Sequence, residues 1–129
     1  MKFILTLISL LLLVACSTTT SQNNFTCAQG DCSNGTGRIV YANGGSYEGG
    51  FKNSEANGKG TAFHPNGDIL EGLWEEDFLI NGTFYYSNGD QYTGTFKKTR
   101  GVDFIYGEYI WDTGQIYIGN WKGLHRHGL

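Results

Sequence analysis

The sequence predicts an all-β protein, an elongated single-layer antiparallel meander of consecutive β-hairpins. Three observations predict it. A nine-residue phrase occurs four times, as Asn43 to Phe51, Asn66 to Trp74, Asn88 to Phe96 and Thr113 to Trp121. Its anchor residues Tyr47, Leu70, Tyr92 and Tyr117 advance by 23, 22 and 25 residues, a spacing that marks a stacked repeat array. Each phrase also follows a β-prone run and a short glycine turn, which is the signature of a hairpin. An array of this kind presents a surface and offers no single crevice in which to collect catalytic groups.

The first fifteen residues stand outside the array. Lys2 precedes an apolar run from Phe3 to Val14, broken only by Thr6 and Ser9. The run is short for a bilayer span and has the length of a signal-peptide core. It closes on Leu13-Val14-Ala15-Cys16, which resembles the lipobox of bacterial lipoproteins. That resemblance implies cleavage after residue 15, acylation of Cys16, and an envelope location, the outer membrane where the cell has one, since Ser17 and not Asp follows the cysteine. An ordinary secretory signal with an incidental cysteine is the alternative.

Residues 16–26 then read as the lipidated cysteine and a flexible, polar, uncharged tether; Ser17 to Thr26 would reach roughly 35 Å at most. Phe25 is the one residue there able to anchor an additional strand. Residues 27–129 form the β domain, with units near 37–59, 60–81, 82–106 and 107–129. Cys27 and Cys32 are close together in a chain expected to leave the reducing cytoplasm, so they read as a disulfide pinning the first unit. Losing Lys2 takes the formal charge from −3 to −4. A mildly acidic domain with dispersed cations is no nucleic-acid binder, and membrane attachment would come from acyl chains on Cys16.

Turn chemistry sets the register. Gly44, Gly67, Gly89 and Gly114 each sit third in a three-residue loop, the left-handed position of a type I turn with a G1 bulge. Ile39 then faces Tyr47, Ala62 faces Leu70, Phe84 faces Tyr92 and Tyr109 faces Tyr117. Glycine meets glycine at 37 and 49, 60 and 72, 82 and 94, and 107 and 119. Paired strand glycines need a reason, and an aromatic ring lying across the bare backbone supplies one.

One face carries Ile39, Tyr41, Tyr47, Phe51, Leu70, Trp74, Phe84, Tyr86, Tyr92, Phe96, Tyr109, Trp111, Tyr117 and Trp121. The other begins polar, with Arg38 opposite Glu48 and Thr83 opposite Thr93, but also carries Val40, Phe63, Ile69, Leu73, Tyr85, Ile110, Ile116 and Ile118. Either strand twist and inter-repeat loops cover these apolar side chains, or they form an exposed stripe that binds a partner or a second copy.

Tyr-x-Gly-x-Phe/Trp after an Asn-Gly turn, closed by Gly58-Lys59-Gly60, resembles the MORN repeat, the membrane occupation and recognition nexus motif. The resemblance spans about Gly35 to Gly128 and implies a twisted sheet with one hairpin per repeat. It also implies scaffolding roles at membranes, without a fixed set of functional residues. Leu70 departs from it by replacing the tyrosine, and the segment from Lys97 to Tyr106 departs by its length. The last unit stops at Leu129 without a following hairpin, so the C-terminal edge is the expected site of strand addition.

Catalytic candidates are few. His64 occupies a position held elsewhere by Tyr41, Tyr86 and Trp111. His125 and His127 lack a third metal ligand, Glu75-Glu76-Asp77 reads as a solvated acidic corner with at most weak Ca²⁺ affinity, and Asp31 and Asp103 stand alone. No catalytic residue, metal or cofactor is assigned. The sequence therefore points to a non-catalytic, lipid-anchored scaffold for protein–protein interaction at the cell envelope, through its apolar face or C-terminal edge. The alternative is a cell-wall glycan-binding surface using Tyr85, Tyr86, Trp111 and Tyr117; hydrolysis centred on His64 is a remote third.

Overall fold

A computed structural model describes residues 24–127, so the segment 1–15, Cys16 and most of the tether lie outside the described residues. The described chain forms ten strands: β1 (Phe25–Gly30), β2 (Thr36–Tyr41), β3 (Ser46–Lys52), β4 (Glu55–Phe63), β5 (Ile69–Glu75), β6 (Phe78–Tyr85), β7 (Gln91–Phe96), β8 (Phe104–Ile110), β9 (Ile116–Gly123) and β10 (His125–His127). They make one open antiparallel sheet in strict sequence order. Nine spacings of about 4.8 Å give it a width of about 43 Å. β1 begins at Phe25, so Phe25 and Thr26 pair with Tyr41 and Val40 and belong to the sheet, two residues inside the stretch read as tether.

The predicted turns are present in all four units. The Gly44 N–H donates to the Tyr41 carbonyl at 3.0 Å, and the Tyr41 N–H donates to the Gly45 carbonyl at 2.8 Å. The same two bonds recur at His64–Asp68, Tyr86–Asp90 and Trp111–Gln115. These turns hold the register that they demand: Ile39 faces Tyr47, Ala62 faces Leu70, Phe84 faces Tyr92 and Tyr109 faces Tyr117. Arg38 sits opposite Glu48, but they form no ion pair; among the described residues the ion pairs belong to Lys97 and Lys98.

The connections between units use a different device. Asn53-Ser54 and Glu76-Asp77 both have positive φ, at 51° and 63° and at 49° and 69°. Two consecutive left-handed residues define a type I′ turn, which suits the twist of the flanking strands. The third connection is the long one, residues 97–103, closed by the Lys97 N–H on the Asp103 carbonyl at 2.8 Å.

The glycine pairs fuse into one row. Gly30, Gly37, Gly49, Gly60, Gly72, Gly82, Gly94, Gly107 and Gly119 are successive cross-strand partners from β1 to β9. A ring lies across this row as expected. A Cβ on Gly60 would run into the ring of Tyr47, and those on Gly107 and Gly119 would each meet a ring carbon, of Tyr92 and Tyr117, at 2.9 Å. Those tyrosines end in backbone bonds three residues on, to the carbonyls of Gly50, Thr95 and Asn120 at 3.0, 2.7 and 2.9 Å.

The core occupies the aromatic face in two clusters. Ile39, Tyr47, Phe51 and Ala56 form the smaller, and Leu70, Leu79, Phe84, Tyr92, Phe96, Phe104 and Trp121 the larger, with Ala62 and Trp74 packed against both. A Cys27–Cys32 disulfide holds the N-terminal end. The turn that follows β1 caps the first unit: Gly35 accepts from the Phe51 N–H at 2.7 Å and Ser33 from the Ser54 N–H at 2.9 Å.

The row makes a sharp stability prediction. A Cβ on Gly72 would meet Gly82 Cα at 2.6 Å and the Asn81 carbonyl, neither of which can yield. Gly72→Ala is expected to cost more than about 3 kcal/mol in thermal or urea unfolding. Gly58 has φ +82° with open space beside it, so Gly58→Ala should cost only about 1–2 kcal/mol. Equal losses at the two sites would refute the packing role of the row.

Candidate functional site

Register resolves the second face into three transverse rows. In the row beside the Asn-Gly turns, Val40 neighbours Ser46, then Phe63, Ile69, Tyr85, Gln91, Ile110 and Ile116 follow, each the cross-strand partner of the one before. The next row is polar until its end: Arg38, Glu48, Thr61, Glu71, Thr83, Thr93, Glu108 and Ile118. The third contains Lys59, Leu73, Asn81, Thr95, Tyr106 and Asn120. Antiparallel partners share a face and sit about 4.5–5.5 Å apart, so the first row is a continuous ridge.

Six of the eight predicted surface residues therefore come together in one line. Ile118 lies one row over and adjoins its end, while Leu73 stands apart between Lys59 and Asn81. The stripe is not covered. Phe63 is 41% exposed, Tyr85 39%, Ile116 60%, Ile118 60% and Leu73 46%; Val40, Ile69 and Ile110 are half-buried. Tyr106, 53% exposed, belongs to the same face and was missed. Its signal was parity with Glu108 and Ile110, which is unbroken in the strand.

The ring faces considered for glycan stacking are partly engaged inside the protein. Tyr86 stacks on Phe84 with ring centres 4.0 Å apart, and Trp111 leans on Tyr109 at 4.7 Å. Arg126 lies over Trp111 and Tyr117 at 5.4 and 5.7 Å. Among the described residues, β10 pairs with Asn120, Trp121 and Lys122 of β9.

Acidic residues serve as staples between units. Asp68 Oδ1 accepts from the Ser87 N–H at 2.8 Å, and Asp90 Oδ1 accepts from the Asp112 N–H at 2.9 Å, each carboxylate tying its own turn to that of the next hairpin. Asp90 Oδ2 also accepts the Tyr109 hydroxyl at 2.7 Å. Asp77, in the acidic corner, accepts from the Ala56 N–H at 2.7 Å. Lys98 reaches Glu76 and Glu75 at 2.9 and 3.8 Å. The corner is thus an ion-paired, hydrogen-bonded joint. Among the described residues no three His, Cys, Asp or Glu side chains gather as metal ligands. His64 opens the second Asn-Gly turn, its N–H donating to the Asp68 carbonyl at 2.9 Å.

These bonds shift titrations. The Tyr109 hydroxyl and the Asp112 N–H hold Asp90 below the ordinary carboxylate value of 3.8. Partial burial alone would raise Asp68, but hydrogen bonds from Ser87 and Asn66 outweigh it and the net shift is downward. Burial, reinforced by Asp68 and Asp90, pushes Tyr86 up to about 12.

One expectation needs correcting in part. The array is not wholly without a crevice: on the aromatic face, between the sheet and the 97–103 connection, lies a partly enclosed cavity of about 410 Å³.

Compared with models of known protein families, the chain matches none.

The carboxylate staples set an acid limit. A folded-state pKa below the unfolded value contributes stability above pH 3.8 that disappears as pH falls through the lowered values. The melting temperature is expected to drop between about pH 5 and pH 2. Asp68→Asn with Asp90→Asn should melt lower at neutral pH and show a shallower decline; an unchanged slope would remove the staples from the account.

Proposed function

We propose that this chain is a MORN-like, lipid-anchored repeat scaffold that docks a protein partner at the cell envelope of a bacterium. The observation that carries the reading is the transverse ridge of Val40, Phe63, Ile69, Tyr85, Ile110 and Ile116, extended by Ile118. It crosses eight strands, about 34 Å, on a face whose neighbouring row is polar. The row is interrupted by Ser46 and Gln91, but exposed apolar side chains at Phe63, Tyr85, Ile116 and Ile118 beside a polar row are what a protein interface offers before it forms. The aromatic face offers less for docking, because most of its rings pack against one another in the core. Membrane recruitment belongs to the segment ending in Cys16, whose two-part logic, an acylated cysteine and a short tether, keeps the ridge near the bilayer.

Two experiments test the two halves separately. A photo-crosslinking residue at Ile116 or Phe63 is expected to give one discrete protein adduct in intact cells, and the same residue at Glu71, in the polar row, none. The adduct should vanish on Tyr85→Ser with Ile116→Ser, while the melting temperature stays unchanged because both sites are exposed. Identical adducts from the ridge and the polar row would defeat the docking role. For the anchor, Cys16→Ser should move the protein from the membrane to the soluble fraction of the envelope. Continued sedimentation with membranes would point to another mode of attachment.

A further inference from the structure

Two departures from the repeat meet at one place. In the first unit Tyr47 packs edge-on between Phe51 of its own hairpin and Trp74 of the next, with ring centres 5.2 Å away in both cases. In the third, Tyr92 packs likewise against Phe96 at 5.1 Å and Trp121 at 6.0 Å. The second unit has Leu70 instead of a ring. The aromatic residues that would have enclosed it, Trp74 and Phe96, both line the 410 Å³ cavity, with Leu70, Leu79 and Phe84. The second departure is the long 97–103 connection, which the other units lack. It supplies the remaining wall through Lys97, Arg100 and Val102.

The charges at the rim are not equivalent. Both oxygens of Asp68 are engaged, by the Ser87 N–H at 2.8 Å and by Asn66 Nδ2 at 2.9 Å. Asp77 is bound to the Ala56 N–H. Lys97 is paired with Asp103 at 4.0 Å, whereas among the described residues Arg100 has no ion-pair partner. His64 lines the cavity as well, and Asp68 and Asp77 keep their charge, so the lining cation free to receive an anion is Arg100, above an apolar and aromatic floor. Cavities of a few hundred Å³ with apolar walls and a few polar groups are the usual form of small-molecule sites.

We propose that this cavity binds a small aromatic carboxylate of one or two fused rings. The ring stands in for the side chain that Leu70 omits, between Trp74 and Phe96, and the carboxylate meets Arg100. The site lies on the aromatic face, and so stands apart from the docking ridge.

The test titrates the full chain with indole-3-carboxylate, neutral indole and cyclohexanecarboxylate, read by calorimetry and by saturation transfer to the ligand. Saturable binding of indole-3-carboxylate is expected at about 1 mM or tighter, with indole and the non-aromatic acid each at least about threefold weaker. Leu70→Tyr restores the repeat's own ring and should weaken binding at least about tenfold. Should Leu70→Tyr fail to fold, Arg100→Ala, an exposed loop position, carries the test. It should cost the carboxylate about three- to fivefold and leave indole unchanged. No saturable binding to the native chain, or affinity indifferent to both substitutions, overturns the proposal.

Discussion

The structure depends on how closely its strands can be crossed by a ring. Nine glycines in one line leave the backbone bare along a path perpendicular to the strands. Tyrosine rings lie over that path, and their hydroxyls end on the carbonyls of the same strand. A single-layer sheet has no opposite layer to bury its apolar face. Here the side chains of that face bury one another, by lying flat where glycine makes room and standing edge-on where it does not. Trp74 adds a bond of the same kind, its indole N–H donating to the Gly60 carbonyl at 2.9 Å. Glycine is costly in a strand, and the cost is offset by the aromatic area that each bare position lets the sheet cover.

That arrangement explains why much of the fold was legible. The turns carry glycine at the one position where a left-handed residue is needed, so strand pairing within each unit followed from counting outward from Gly44, Gly67, Gly89 and Gly114. The exposed residues of the second face followed from the same parity. What escaped was whatever joins one unit to the next. Asn53-Ser54 and Glu76-Asp77 take up type I′ turns without a glycine to announce them. The aspartates of the two Asn-Gly-Asp phrases look like ordinary turn residues, yet bond to backbone 19 and 22 residues away. Long-range bonds of that kind leave no local trace, and the continuous glycine row becomes visible only once neighbouring units are placed side by side.

Two residues of the second face were placed without their rows. Tyr106 was read only as the end of a unit, although it alternates without a break with Glu108 and Ile110; the bulge lies on its other side, between Phe104 and Tyr106. Leu73 was grouped with the apolar stripe on parity alone. It does share the face, but sits in a different row, beside the bulge between Leu73 and Trp74. Parity assigns a face; only register assigns a row.

The two faces thus carry different kinds of information. On the aromatic face the units are nearly interchangeable, because each ring must meet its own anchor and the next. Deviation there leaves a gap that neighbours cannot fill, as protein interiors are close-packed and only partly relax around a missing group. Leu70 makes such a gap, and the 97–103 connection walls it instead of filling it. On the second face no ring needs a neighbour, and residues vary freely between Thr, Glu and Ile at the stability cost of a surface site. Function can be written there without disturbing the array. The line from Val40 to Ile116 is apolar at six of its eight positions, beside a row that is polar until Ile118.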